Sequence, residues 1–121
     1  MKENKFSFTK RWKSFGYAYN GLRNLWKYEH NARIHCLAAL VAICLGFLYK
    51  ISSTEWLAVV LSIGFVFTTE IINTSIENLV DFISTEKHPH IKIIKDLAAA
   101  AVLISAITST VIALIIFLPK L

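Results

Sequence analysis

Three apolar blocks divide the chain: Ile34 to Tyr49, Trp56 to about Ile83, and Leu97 to Leu118, the last without a charged residue. At about 1.5 Å per residue the third block covers the roughly 30 Å hydrocarbon core of a bilayer. The first is shorter and needs its flanking residues to cross. Ahead of these blocks the pattern changes. Phe8, Trp12, Phe15, Tyr19, Leu22 and Trp26 recur at alternating spacings of four and three, while Lys10, Arg11, Lys13, Arg23 and Lys27 fall elsewhere around the wheel. That period predicts an amphipathic helix, too polar to span, lying on the membrane surface, packed on the protein's own bundle, or both.

Polar punctuation supplies the boundaries. A turn is expected near Tyr28 to Asn31, after which Glu29 and Arg33, spaced i,i+4, can pair at the start of the first span. In "KISSTE", Lys50 to Glu55, Ser52 or Ser53 can cap a new helix with Glu55 closing a capping box. "STEKHPH", Ser84 to His90, ends that helix, and the next begins near Pro89 or Ile91. Ala101, Ser105, Ser109 and Ala113 form a ladder of small residues that lets helices approach closely in lipid. The expected architecture is an all-α integral membrane protein of one domain, residues 1–121. A surface helix covers about 6–28 and transmembrane helices cover about 31–50, 54–83 and 91–118.

Composition agrees: 55% of the 121 residues are hydrophobic, and the mean hydropathy is +0.54. Charge adds orientation. Of thirteen Lys and Arg residues, eight fall in the first 33 positions, Lys2, Lys5, Lys10, Arg11, Lys13, Arg23, Lys27 and Arg33, which predicts a cytoplasmic N-terminus in a bacterial cytoplasmic (inner) membrane. Three crossings then put Lys50, Glu55 and Lys120 outside and Lys87, Lys92 and Lys95 inside. The basic N-terminus is not followed directly by an apolar run and cleavage site, so no removable signal peptide is expected. Cys36 and Cys44 stand eight residues apart on one helix, about 12 Å along its axis, and are read as unpaired packing residues.

The chemistry concentrates in "EIINTSIENLVD", Glu70 to Asp81. At 100° per residue Glu70, Asn73, Glu77 and Asp81 lie within about 80° of one another, forming one stripe that runs from membrane depth towards the cytoplasmic surface. An ionised carboxylate near the bilayer centre costs about 2.5–3.5 kcal/mol, whereas polar contacts that join spans contribute about 0.6 kcal/mol each. Helix glue therefore does not account for Glu70 and Glu77, while Asn73 and Asp81 admit structural roles as readily as functional ones. Arg23, Arg33 and Lys95 are available as cationic partners, and Glu29 could join Glu77 from another helix. Carboxylates with nearby cations suit a site for phosphate and a divalent metal such as Mg²⁺. No GxxxxGK[ST] loop or protein-kinase signature occurs, the Ser and Thr residues lack a His and Asp arrangement for nucleophilic catalysis, and the His88/His90 pair beside Pro89 reads as a loop feature. A proton-coupled oligomeric transporter using Glu70, or a structural membrane subunit, would be alternatives to an enzyme.

"EIINTSIENLVD" followed by "KDLAAAAV", Lys95 to Val102, and preceded by "GYAYNGLRNLWKYEHNAR", Gly16 to Arg33, closely resembles the prokaryotic diacylglycerol kinase family of small membrane lipid kinases. The resemblance covers nearly the whole chain. It implies a homotrimer with sites formed between subunits near the cytoplasmic surface, transferring the ATP γ-phosphate to a membrane lipid hydroxyl, with no nucleic-acid partner. On the matching positions it implies Glu70 as general base, supported by Asn73. Glu29 and Glu77 would hold Mg²⁺ with ATP, and Tyr17, Glu86, Lys87, His88, Lys95 and Asp96 would contact the nucleotide. Lys10, Arg23, Arg33, Glu70 and Ala99 are the expected lipid-binding positions. Ala98 and Ala99 replace the Gly-Ser pair of many diacylglycerol-phosphorylating members, and Lys10 stands where Arg is common. His88-Pro89 and the ending "IIFLPKL" look more like the undecaprenol kinase branch. The lipid alcohol expected is undecaprenol ahead of diacylglycerol.

Overall fold

The computed structural model describes residues 5–121; Lys2, one of the expected cytoplasmic charges, lies outside them. Four α-helices follow in order: α1 (Phe8–Tyr28), α2 (His30–Leu48), α3 (Ser53–Ile83) and α4 (Pro89–Phe117), with a short 3₁₀ turn (Leu118–Lys120) closing the chain. No strand occurs among the described residues. Three segments are long and apolar enough to cross a membrane: His30–Leu48, Ser53–Ile83 and Pro89–Lys120. Their outward faces carry large apolar side chains open to the surroundings, among them Leu37, Leu61, Phe82 and Leu103. That pattern suits lipid rather than water.

The helix ends form for local reasons. Ser7 caps α1 by accepting from the Lys10 amide. Ser52 and Glu55 form the reciprocal capping box expected of "KISSTE". His88 caps α4 with Nδ1, which accepts from the His90 amide, and Pro89 takes the first helical position, where its missing N–H costs nothing. Between α1 and α2 only Glu29 is non-helical, with φ −110° and ψ 111°, so the expected turn contracts to one residue. The expected Glu29–Arg33 pair is replaced. Arg33 turns back to donate to the carbonyls of Trp26 (2.8 Å) and Lys27 (3.0 Å), and its guanidinium sits over the Trp26 ring. It thereby satisfies carbonyls that the end of α1 leaves without helical partners.

The α2–α3 hairpin is built on a tight C-terminal cap. The Ile51 amide donates to the Gly46 carbonyl and the Lys50 amide to the Phe47 carbonyl, the Schellman pattern. Lys50 takes the left-handed conformation, φ 50°. Gly46 is needed for packing: a Cβ there would stand 2.6 Å from the Trp56 ring. Around this corner lies a compact core of Ile51, Val59, Ile116 and Phe117, with Leu45, Tyr49 and Trp56 against it.

α3 and α4 run antiparallel and are fastened along their length. Lys120 meets Glu55 at 2.7 Å, Ser109 reaches the Ser62 carbonyl, Ser105 meets Thr69 at 2.8 Å, and Lys95 meets Asp81 at 2.6 Å. Ser105 and Ser109 thus use the small-residue ladder as a packing face, while Ala101 remains exposed. The Lys120–Glu55 pair brings together two charges expected on the same side of the membrane. α3 has 31 residues and is about 46 Å long, well beyond the hydrocarbon thickness of roughly 30 Å. The polar stripe occupies the end of α3 opposite the Ile51 core.

Candidate functional site

α3 positions the stripe, and its members grade from buried to open. Glu70 is only 1% exposed, Asn73 and Glu77 are half-buried, and Asp81 is open. The Asn73 amide nitrogen donates to Glu77 Oε1 at 3.4 Å, one helical turn away as the i,i+4 spacing requires. Asp81 accepts from Lys95 at 2.6 Å, which gives this residue an ion-pairing role across the α3–α4 contact. Glu29, at the α1–α2 junction, and Glu77 both lie within electrostatic reach of Glu70. The antiparallel α2–α3 hairpin brings them level.

Buried polar atoms without partners mark the inner part of the stripe. Glu70 Oε2, Asn73 Oδ1 and Thr74 Oγ1 are all closed off with no hydrogen bond in the single chain. Orphaned buried acceptors cost about 1–3 kcal/mol each, so their concentration on one face of α3 is a cost the site carries. The group facing Glu70 most closely is His35 on α2, whose Nε2 lies 3.7 Å from Glu70 Oε2. Sequence reasoning missed His35. The available signal was an ionisable side chain inside an apolar helix, the criterion that picked out Glu70.

At the open end, the α3–α4 loop folds around a pocket of about 740 Å³ whose lining includes Glu86, Lys87, His88, Lys95 and Asp96 together with Asp81. Five of the six positions expected to contact nucleotide therefore share one pocket. The sixth, Tyr17, lies apart, exposed on α1, as do Lys10 and Arg23. Lys92 pairs with Asp96 on the rim. Ala99 is exposed on α4, and Ala98 beside it is buried. A second, apolar cleft of about 240 Å³ opens between α2, α3 and α4, lined by Ala38, Ala39, Ala42, Val66 and Phe67, with His35 also in its wall.

The residues suit a metal in a limited sense. Among the described residues no three His, Cys, Asp or Glu side chains converge as a ready-made cage. Mg²⁺ commonly binds through one or two carboxylates completed by substrate phosphates and water. Glu29 and Glu77 meet that requirement in number and chemistry, and the partnerless oxygens beside them show a face short of hydrogen-bonding partners.

Comparisons with known proteins place the chain among named relatives. The family model described as prokaryotic diacylglycerol kinase matches residues 16–117. The chain is 40% identical over 120 residues to the undecaprenol kinase of Bacillus subtilis, covering 99% of this chain and 98% of that one. It is 32% identical over 111 residues to the diacylglycerol kinase of Escherichia coli K12, covering 92% and 91% of the two chains. With the diacylglycerol kinase of Helicobacter pylori 26695 it shares 37% identity over 105 residues, covering 87% and 82%.

Proposed function

This chain belongs to the prokaryotic diacylglycerol kinase family and is a lipid kinase, and from that premise we propose that it transfers the γ-phosphate of ATP, with Mg²⁺, to the hydroxyl of a membrane lipid alcohol. Family membership sets aside the transporter and structural-subunit alternatives. The observation that carries the proposal is the continuity of the site: a polar pocket lined by Glu86, Lys87, His88, Lys95 and Asp96 stands beside Asp81, and the stripe leads from there through Glu77 and Asn73 to buried Glu70. A water-borne donor can enter at one end and a lipid-borne acceptor at the other.

In this reading Glu70 takes the proton of the lipid hydroxyl as its oxygen forms a bond to the γ-phosphorus. The bond from that phosphorus to the bridging oxygen breaks, and ADP leaves with the released electron pair. Lys87 and Lys95 hold phosphate oxygens as point charges, Lys95 exchanging Asp81 for the nucleotide. Glu29 and Glu77 would hold Mg²⁺, which supplies neutralisation of phosphate charge when bound. Asn73 keeps Glu77 oriented through its amide. The apolar cleft beside His35 gives the lipid's hydrocarbon a place near Glu70. Undecaprenol is favoured over diacylglycerol as acceptor, supported by the higher identity to a kinase named for it. The setting is the bacterial cytoplasmic membrane, with the N-terminus and nucleotide pocket facing the cytoplasm.

The test is direct. Purified protein in lipid–detergent micelles with Mg²⁺ and γ-labelled ATP is expected to label undecaprenol faster than diacylglycerol. Glu70→Gln is expected to lower turnover by about 10²- to 10⁴-fold, the usual contribution of a positioned base. Equal labelling would remove the substrate preference, faster labelling of diacylglycerol would reverse it, and full turnover by Glu70→Gln would remove Glu70 from the chemistry.

A further inference from the structure

Glu70 is almost wholly buried, and its Oε2 has no hydrogen-bond partner. The cations of the flanking segments are engaged elsewhere: Arg33 on the carbonyls ending α1, Lys95 on Asp81, and Lys92 on Asp96. The hydroxyls of Thr69 and Ser105, one residue away and across on α4, lie 2.8 Å apart and within reach of the carbonyls of Val66 and Val102, so their two protons are taken up within that group. The other titratable groups within electrostatic reach, Glu29 and Glu77, are carboxylates and repel a charged Glu70. His35 is thus the one cationic or N–H-bearing side chain that forms a close pair with Glu70 among the described residues. Its ring meets Phe67 edge to face, with centroids 6.4 Å apart. Phe67 lies one turn before Glu70, so both side chains face the imidazole.

We infer that His35 is a positioning residue for the reaction: its Nε2–H aims Glu70 Oε2, leaving Oε1 to receive the proton of the lipid hydroxyl. This rests on the reading of Glu70 as the base. At 3.7 Å the contact is longer than a hydrogen bond. A movement under 1 Å closes it, and bonds of this kind often tighten only in the complex with substrate. A carboxylate free to rotate in a pocket of this depth offers the wrong oxygen or the wrong lone pair for part of the time. Misplacement on this scale costs on the order of 100-fold in rate.

The experiment measures initial rates in mixed micelles with undecaprenol and Mg²⁺-ATP for His35→Ala, His35→Gln and Glu70→Gln. Each variant's folded fraction is fixed by gel filtration and thermal denaturation. Gln carries an N–H at a reach similar to that of Nε2. The expected result is a 10- to 100-fold lower kcat for His35→Ala with the KM for ATP unchanged, and recovery of most of that loss in His35→Gln. Wild-type kcat in His35→Ala overturns the inference. So does a loss that His35→Gln shares in full, or one that follows the folded fraction. If Glu70→Gln is inactive while His35→Ala is unaffected, the base assignment stands and only the positioning role fails. If Glu70→Gln turns over normally, both fail together.

Discussion

At the scale of single residues, the ones that decide this molecule are those that break a local rule. Glu70 does so by placing a carboxylate at depth, and it was legible from sequence because one charge in an apolar run stands out. His35 breaks the same rule more quietly, as one imidazole within an apolar helix, and its place beside Glu70 emerges only from the α2–α3 register. Gly46 was invisible as a packing residue. Nothing in the sequence says that the Trp56 ring lies across it, with 2.6 Å left for a Cβ. Trp56 is itself held by Phe47, ring centroids 4.9 Å apart, and by the Ile51 core, so it has little room to yield. Gly46→Ala is therefore expected to destabilise the fold by about 1–3 kcal/mol, the usual cost of forcing a methyl group into a filled space. Thermal denaturation in detergent would register this as a lowered midpoint. Because Gly46 is at the far end of the hairpin from Glu70, the kcat of the folded fraction should be retained.

At the scale of elements, hydrophobic patterning located all four helices, and capping residues set their ends to within a few positions. The 3.6-residue period and the Ser52–Glu55 box carry that information locally. The α1–α2 junction was read less well because it depends on Arg33 reaching back six and seven residues to carbonyls, a contact no local pattern encodes. α1 itself poses a separate question. Phe8, Trp12 and Phe15 are 81%, 78% and 71% exposed, too much aromatic surface to leave in water along one stripe. With Lys10, Arg11 and Lys13 flanking it, α1 is expected to lie in the interface with its rings among the upper acyl chains. A variant keeping Trp12 as its sole tryptophan, with Trp26 and Trp56 changed to Phe, tests this in vesicles of brominated phospholipid. Quenching of Trp12 by bromine near the head groups, stronger than by bromine at the bilayer centre, is the expected result. Emission like that of a fully hydrated indole would move α1 out of the interface.

At the scale of the whole molecule, a single chain leaves part of the polar stripe without hydrogen-bond partners. The core of Ile51, Val59, Ile116 and Phe117 closes one end of the bundle. At the other end Glu70, Asn73 and Thr74 keep buried oxygens without partners. Such groups are normally paired with protein or water, and in a membrane the lipid supplies neither. A neighbouring copy of α3 or α4 laid against the half-buried Asn73 and Glu77 would cover the open part of the stripe, which would join oligomerisation to catalysis through one helix face. The number of copies is not a matter of packing physics; three is what the family resemblance implies. The protein in mild detergent is expected to sediment, after correction for bound detergent, at three times the 13.7 kDa of the chain. Diluting that assembly until it dissociates should extinguish kinase activity in step with the loss of trimer, and activity persisting in monomers would show that one chain completes its own site.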